Sequence, residues 1–371
     1  MNEMFDHALV LGKFYPPHAG HHHLVRAAAA RSTRTTVAVL GASVESIPLA
    51  DRVRWLAEEH AADRGVAVVG DVDDHPIDFH DDRTWELHIG IVRAVLARPA
   101  IADGDPAGAG IDAVFSGESY GAELASRLGA EHVAVDPDRT THPVSGTAVR
   151  ADPVGRWAWL APATRAGLAA RVVVVGAEST GTTTLSAALA AHLLARGGAF
   201  ADTRWVAEYG RTHTELKLAA ATAQAGGTPP DLDGLVWTVG DFVDVAHRQA
   251  ADAAARTGGP VLVCDNDPWA ATAWCERYLG ACPQDVHDAV GGRRPALYLL
   301  TDHRNVPFEQ DGRRDGAHRR EWLTGRFAEL LDERGVPWRR LTGDPERRLT
   351  RAVEAVDGLL DTHFTYAHPL T

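Results

Sequence analysis

Cysteine is scarce in this 371-residue chain, with three residues, and methionine scarcer, with two. Cys264, Cys275 and Cys282 form no CxxC pair, so they read as small buried residues rather than ligands, and a reducing cytoplasm is the expected location. No apolar run approaches the roughly 20 residues that a membrane helix needs, which points to a soluble protein with no membrane partner. The start, Met1-Asn2-Glu3-Met4-Phe5-Asp6, lacks the basic and apolar regions of a signal peptide. Positive charge is also in deficit: 37 Lys and Arg stand against 50 Asp and Glu, a formal charge of -13. That balance argues against broad electrostatic binding of nucleic acid and leaves room only for a local basic groove that takes nucleotide phosphates. No internal repeat and no low-complexity tail stand out. What is present is ordinary globular material, 45% hydrophobic and 23% charged, in a chain long enough for two domains with separate cores.

Short β-rich runs alternate with Ala/Leu/Arg-rich helical stretches, the pattern of parallel sheets covered by crossover helices. The first half predicts strands near Ala8–Lys13, Thr36–Gly41, Val66–Gly70, Asp112–Ser116 and His132–Val135, with helices near His21–Arg31, Ala50–Arg64, Trp85–Ala97 and Tyr120–Leu128. Periodicity lapses around Asp152-Pro153 and Ala161-Pro162, and a fresh buried strand opens at Arg171–Val175. Further strands are expected at Pro260–Cys264, Ala296–Leu300 and Trp338–Leu341, before a helix over Pro345–Leu360. The fold class is therefore α/β with two domains, residues 1–165 and 166–371: a Rossmann-like sheet, then a second parallel sheet. Ile101–Gly110 and Ala225–Asp233 read as surface loops.

The stretch GKFYPPHAGHHH, residues 12–23, follows the apolar run Ala8–Leu11. A zinc site is one reading, but no third ligand of suitable spacing accompanies His18 and His21. A tag remnant is another, but the run is internal and continues an amphipathic helix. The third is a phosphate-handling turn: His18-Ala19-Gly20-His21 sits where a strand passes into a helix, and free backbone N–H groups and the helix dipole favour an anion there. A partner motif, Ser145-Gly146-Thr147-Ala148-Val149-Arg150, comes near the end of the same sheet.

Together GKFYPPHAGH and SGTAVR resemble the paired signatures of the HxGH nucleotidyltransferases. The resemblance implies that Lys13, His18, His21 and Arg150 are catalytic, stabilising charge on the α-phosphate and the departing pyrophosphate, with Gly12, Phe14, Ser145, Gly146 and Thr147 contacting the nucleotide. In-line attack on ATP with Mg²⁺ bridging phosphates is the implied mechanism. Phe115–Gly121, Val135–Thr140, Asp51-Arg52 and the pair Trp85 and His88 are similar to segments of NMN adenylyltransferases, where the Trp85 indole is expected to stack on the nicotinamide ring. Core packing is the alternative for Trp85. Since both motifs lie within residues 1–165, that segment is expected to suffice for adenylyl transfer.

Gly176-Ala177-Glu178-Ser179-Thr180-Gly181-Thr182-Thr183 follows an apolar strand and precedes a helix, the context of a P-loop, but Thr182 stands where the pattern calls for lysine. Gly176, Ser179, Gly181, Thr182, Thr183 and Thr184 are the expected phosphate contacts, with Thr183 on Mg²⁺. Nearly the whole chain from Ala8 onward resembles the bifunctional NadR type, NMN adenylyltransferase fused to nicotinamide riboside kinase. That resemblance extends to Glu208-Tyr209-Gly210-Arg211, His247-Arg248-Gln249, Asp265-Asn266-Asp267 and a lid-like Gln310–Arg314. It implies Asp265 as base or ribose contact, and Glu208, Arg211, Gln249, Asp267 and Arg313 as binding residues; Asp-Asn-Asp as a capping turn is the alternative. NMN, nicotinamide riboside, NAD and ATP are the implied small-molecule partners, and homo-oligomerisation is left open. Only about seven residues precede the first strand, so a helix-turn-helix segment and DNA binding are not expected. Two alternatives stay open: a second domain that is a non-catalytic nucleotide sensor, and a first domain that adenylylates another phosphate acceptor.

Overall fold

The computed structural model describes residues 4–78, 80–98, 110–231, 234–256, 258–291, 294–309 and 317–370. Two fully buried apolar runs, Ala8–Val10 and Val172–Val175, seed the architecture. Side chains alternate across a strand, so neighbours serve opposite faces. Leu9 packs with Ile89, Val92 and Leu124, whereas Ala8 and Val10 pack with Val25, Val37 and Leu56. Likewise Val173 and Val175 meet Phe327 and Leu331, and Val172 and Val174 meet Leu185, Leu189 and Val356. Strands apolar on both faces are what a parallel sheet between two helical layers requires.

The first sheet comprises β1 (Phe5–Gly12), β2 (Ser32–Gly41), β3 (Val66–Val72), β4 (Ala113–Ser116) and β5 (Glu131–Ala134) in the order β3-β2-β1-β4-β5. The second comprises β6 (Ala170–Gly176), β7 (Arg204–Val206), β8 (Val261–Asp265), β9 (Leu297–Thr301) and β10 (Trp338–Leu341) in the order β10-β9-β6-β8-β7. Every pairing is parallel. In each sheet the chain leaves a central strand, β1 or β6, with neighbours on both sides reached by separate crossovers. The crevice at the carboxyl end of that strand is where open α/β sheets bind ligands. Both glycine-bearing motifs lie there.

Several boundaries differ from the sequence reading. β2 begins at Ser32 rather than Thr36, because its polar residues are paired inside: Ser32 Oγ meets Thr35 Oγ1 at 2.8 Å, and Thr36 Oγ1 meets His7 Nε2 at 2.8 Å. β7 escaped the pattern altogether, being three residues long with Arg204 exposed. The last helix runs on to His363. The chain divides into one unit of Met1–Gly167 with Phe364–Thr371 and another of Leu168–His363. The final segment, expected in the second domain, thus groups with the first. Among the described residues no helix is long and apolar enough to cross a membrane.

Candidate functional site

In the first unit, His18 is the extended residue capping the helix Ala19–Ala29. Its backbone N–H donates to His21 Nδ1 at 3.3 Å, and the two imidazoles stack with centroids 3.6 Å apart. Phe14 adopts φ +47° and is 2% exposed, its ring meeting the His21 ring edge-on at 4.8 Å. Phe14, expected to touch nucleotide, is therefore a core side chain that fixes His21. Gly12 gives the Phe14 ring room, since a Cβ there would lie 3.3 Å from it, a tight contact.

Ser145 caps the helix Gly146–Ala151, its Oγ accepting from Ala148 N at 3.1 Å. Gly146 packs on the Tyr15 carbonyl, 3.0 Å from where a Cβ would sit. Arg150 follows one turn on, with Nη1 donating to Tyr15 O at 2.6 Å and Nη2 to Thr147 Oγ1 at 3.2 Å. The distant motifs GKFYPPHAGH and SGTAVR are thus joined through Tyr15. Lys13 Nζ stands 3.6 Å from Glu45 Oε1; Glu45 is buried and paired with buried Arg52 at 2.7 Å, and Arg52 Nη1 also donates to Lys13 O at 2.8 Å. Sequence reasoning named neither Tyr15 nor Glu45. Trp85 is 6% exposed among Leu9, Ile89 and Leu124, beneath the Arg127 guanidinium at 5.2 Å, the environment of the core-packing alternative. His88 is held by Asp73 at 2.5 Å.

The imidazoles carry no charge at neutral pH. Burial, reinforced by Arg139 and His142, pushes His18 down to about 3; burial, then His60 and Arg26, pushes His22 down to about 3. His21 is lowered well below 6.5 by burial and by His18. These rings can therefore offer N–H donors to phosphate, and the positive charge is left to Lys13 and Arg150. A stability consequence follows. Unfolded histidines take a proton near 6.5 while these folded rings do not, so stability falls as pH drops from 6.5 toward 3. The limiting slope is about 1.4 kcal/mol per pH unit for each ring. The melting midpoint is expected to fall between pH 6.5 and 5, before most carboxylates titrate, and His22→Gln is expected to flatten that fall. A midpoint level over this range in calorimetry counts against buried neutral rings.

In the second unit the loop after β6 needs glycine twice. A Cβ on Gly176 would stand 2.1 Å from Thr301 Oγ1, and Gly181 caps the helix Thr182–Ala195 at φ +85°. Two buried arginines grip the loop by its carbonyls, Arg320 Nη2 on Ser179 O at 3.1 Å and Arg348 Nη1 on Thr180 O at 2.6 Å. Ser179 Oγ is itself engaged by Glu309 N at 2.8 Å, and Thr184 is exposed on the first helical turn. Carbonyls turned back onto arginines are an arrangement in which a loop can present its N–H groups to an anion.

Beside this loop opens a cleft of about 140 Å³, lined by Glu178, Thr182, Glu208, Arg211, Trp237 and Tyr278 among others. Trp237 stacks on Tyr278 at 4.6 Å and on Phe242 at 5.5 Å. Buried Arg277 lies 4.3 Å over the Tyr278 ring and donates to Glu178 Oε1 of the loop at 2.9 Å. None of these aromatics was singled out in the sequence. Nor was Asn266, at φ +66°, whose Nδ2 donates to Glu208 Oε1 at 2.7 Å and so aims that carboxylate.

The acidic strand end divides its labour. Asp265 is 1% exposed, with both carboxylate oxygens buried and lacking a hydrogen bond, while the Thr182 and Thr183 hydroxyls face it without closing one. Burial and the Glu208 charge push it up to about 7, against the pull of Thr183, Thr182 and Arg211. Expected as base or ribose contact, it instead lies beneath the loop and outside the cleft lining. Asp267 lines the cleft and accepts from Tyr298 Oη at 2.6 Å and from Ala270 N at 3.1 Å, the first residue of the helix Ala270–Leu279. Gln249 spends its amide on backbone, accepting from Tyr209 N at 2.8 Å and donating to Ala207 O at 3.2 Å. It braces the loops while its side chain lines the cleft. Arg313 and the rest of Gln310–Arg314 lie outside the described residues.

Two parallel sheets, each with a glycine-bearing loop leaving its central strand, define a two-unit α/β chain whose second unit is P-loop-like. Residues 171–348 match the AAA domain family. The chain is 25% identical over 370 residues to the "Trifunctional NAD biosynthesis/regulator protein NadR" of Escherichia coli, covering 94% of this chain and 82% of that protein. It is 24% identical to the NadR of Salmonella typhimurium, with 95% and 83% covered. Its fold matches two crystal structures of NadR, one in complex with NR (TM-score 0.65, 18% identity, 97% and 98% of the two chains) and one with NAD and AMP-PNP (TM-score 0.64, 17% identity, 97% of each).

Proposed function

We propose that this chain is a two-site enzyme of NAD biosynthesis. The first unit transfers the adenylyl group of ATP to NMN, giving NAD and pyrophosphate; the second phosphorylates nicotinamide riboside with ATP, giving NMN. The observation that carries this reading is the pairing of a histidine-lined, Lys- and Arg-flanked turn in one unit with a phosphate loop opening onto an acidic aromatic cleft in the other. The relatives named for NAD biosynthesis and the neighbours bound to NR, NAD and AMP-PNP support it.

In adenylyl transfer, an NMN phosphate oxygen attacks the α-phosphorus as its bond to the β-phosphate oxygen breaks and pyrophosphate leaves. Neutral His18 and His21 donate N–H bonds to the accumulating oxyanion, and Lys13 and Arg150 balance its charge. In phosphorylation the riboside 5′-hydroxyl attacks the γ-phosphorus and ADP departs. Glu208, lining the cleft and aimed by Asn266, takes the hydroxyl proton in place of the deeper Asp265. Thr183 and the unpartnered Asp265 oxygens are hard donors that fit Mg²⁺, which when bound would neutralise phosphate charge. The cationic nicotinamide ring suits the faces of Trp237 and Tyr278 and the carboxylate of Glu208.

Because Trp237 rests on Tyr278 at 4.6 Å, the riboside ring must part them or stack outside them. Trp237→Ala is expected to raise the KM for riboside roughly tenfold with the KM for ATP little changed, read by steady-state kinetics. Equal shifts in both constants would reduce Trp237 to packing. The reading as a whole is tested by incubating the protein with Mg-ATP and either NMN or nicotinamide riboside and resolving products by mass. NAD from the first and NMN from the second are expected; neither product overturns it. The sensor reading of the second unit has one observation in its favour, Thr182 in the lysine position. It gains ground if ATP binds and riboside is not turned over.

A further inference from the structure

The segment Phe364–Leu370 belongs to none of the motifs, yet it lies on the first unit's phosphate turn. Lys13 Nζ donates to Leu370 O at 2.7 Å while standing 3.6 Å from Glu45 Oε1. An ammonium has three donors; the Leu370 carbonyl takes one, the Glu45 charge holds the amine nearby without closing a hydrogen bond, and donors remain for a phosphate oxygen. The Tyr15 hydroxyl donates to Ala367 O at 3.1 Å and accepts from Ser46 N at 2.8 Å, and Ala367 N closes the ring by donating to Ser46 Oγ at 2.7 Å. The Tyr15 aromatic face lies 4.9 Å from the Arg150 guanidinium carbon and 5.3 Å from that of Arg52. Tyr366 meets Tyr15 edge-on at 6.3 Å, and Phe364 meets buried Trp157 edge-on at 6.0 Å, so aromatic contacts anchor the segment beside the hydrogen-bonded ring.

We propose that Phe364–Leu370 is a positioning strap of the adenylyl-transfer site, holding Lys13 directly and Arg150 through Tyr15. The proposal rests on the transferase reading of the first unit. It revises the expectation that residues 1–165 suffice for adenylyl transfer, because such a fragment lacks the strap.

The test uses the full chain, a chain stopped after His363, and Ala367→Pro, which removes the N–H that Ser46 accepts while keeping every other strap residue. Both altered proteins are expected to lose roughly tenfold to hundredfold in kcat/KM for ATP in adenylyl transfer while riboside phosphorylation is unchanged. Ala367→Gly, which retains both backbone groups, is expected to keep the full rate. Hydrogen exchange supplies a readout free of activity, since the Ser46 amide should exchange faster in the stopped chain. Unaltered transfer kinetics together with unaltered Ser46 exchange overturn the strap, as does an equal loss in Ala367→Gly. A full chain that makes no NAD overturns the transferase reading instead, and Ser46 exchange then still judges whether the strap holds the turn.

Discussion

His21→Ala is expected to lower adenylyl transfer roughly a hundredfold to a thousandfold, the usual cost of removing one preorganised oxyanion donor. The ring is held for that task, stacked at 3.6 Å on His18 and braced at 4.8 Å by Phe14, so little reorganisation is needed when charge develops. Its effect is expected mainly in kcat, because a neutral donor gains most where the phosphate charge is greatest. The second unit supplies the folding control in the same molecule: riboside phosphorylation by the variant should match that of the unaltered chain. A variant that makes NAD at the original rate, with that control intact, sinks the assignment of the histidine turn.

The sheets were legible because their central strands are apolar on both faces and the polar turns stand out against them. Ala8–Val10 and Val172–Val175 could hardly be anything but buried parallel strands. The glycine-bearing turns were legible for a related reason. Glycine at Gly146, Gly176 and Gly181 answers to close approach or to a left-handed backbone, and such demands confine residue choice at fixed spacing. Where a single side chain was assigned a task, the pattern was less informative. Phe14, Trp85, Gln249 and Asp267 stand in the right segments, yet their polar atoms or rings are consumed by the protein itself.

What stayed hidden is tertiary. Trp237 and Tyr278 lie on separate elements and become one stack only when the chain packs around Phe242. Which of Glu208 and Asp265 lines the cleft turns on depth, since both are carboxylates beside a strand end and only burial tells them apart. The strap has no local signal either: Phe364–Leu370 is short and irregular, and its meaning comes from contacts with residues at the opposite end of the sequence.

The second large effect concerns the lysine that Thr182 replaces. Lys13 and Lys217 are the chain's two lysines, and Lys217 is committed to both oxygens of Asp241 at 2.9 Å. Arg320 and Arg348 face the loop's carbonyls, and Arg277 is paired with Glu178. Among the described residues, Arg211 is the cation that lines the cleft together with Thr182, and its charge already acts on Asp265. It stands in the first turn of the helix Tyr209–Gln224 on an exposed, flexible stem that can reach a transferring phosphoryl group. Arg211→Ala is therefore expected to lower riboside phosphorylation roughly a thousandfold or more, the range seen when an arginine is withdrawn from transition-state charge. ATP should still bind, because the loop's backbone N–H groups are untouched. Thr182→Lys in the Arg211→Ala background is expected to restore much of the rate, since an ammonium on the first helical residue returns a cation to the same phosphates. Single-turnover measurements on the unaltered chain, Arg211→Ala and the double variant decide the matter. Unchanged turnover in Arg211→Ala removes that residue from the reaction, and a double variant no faster than Arg211→Ala shows that the two cations do not serve the same charge.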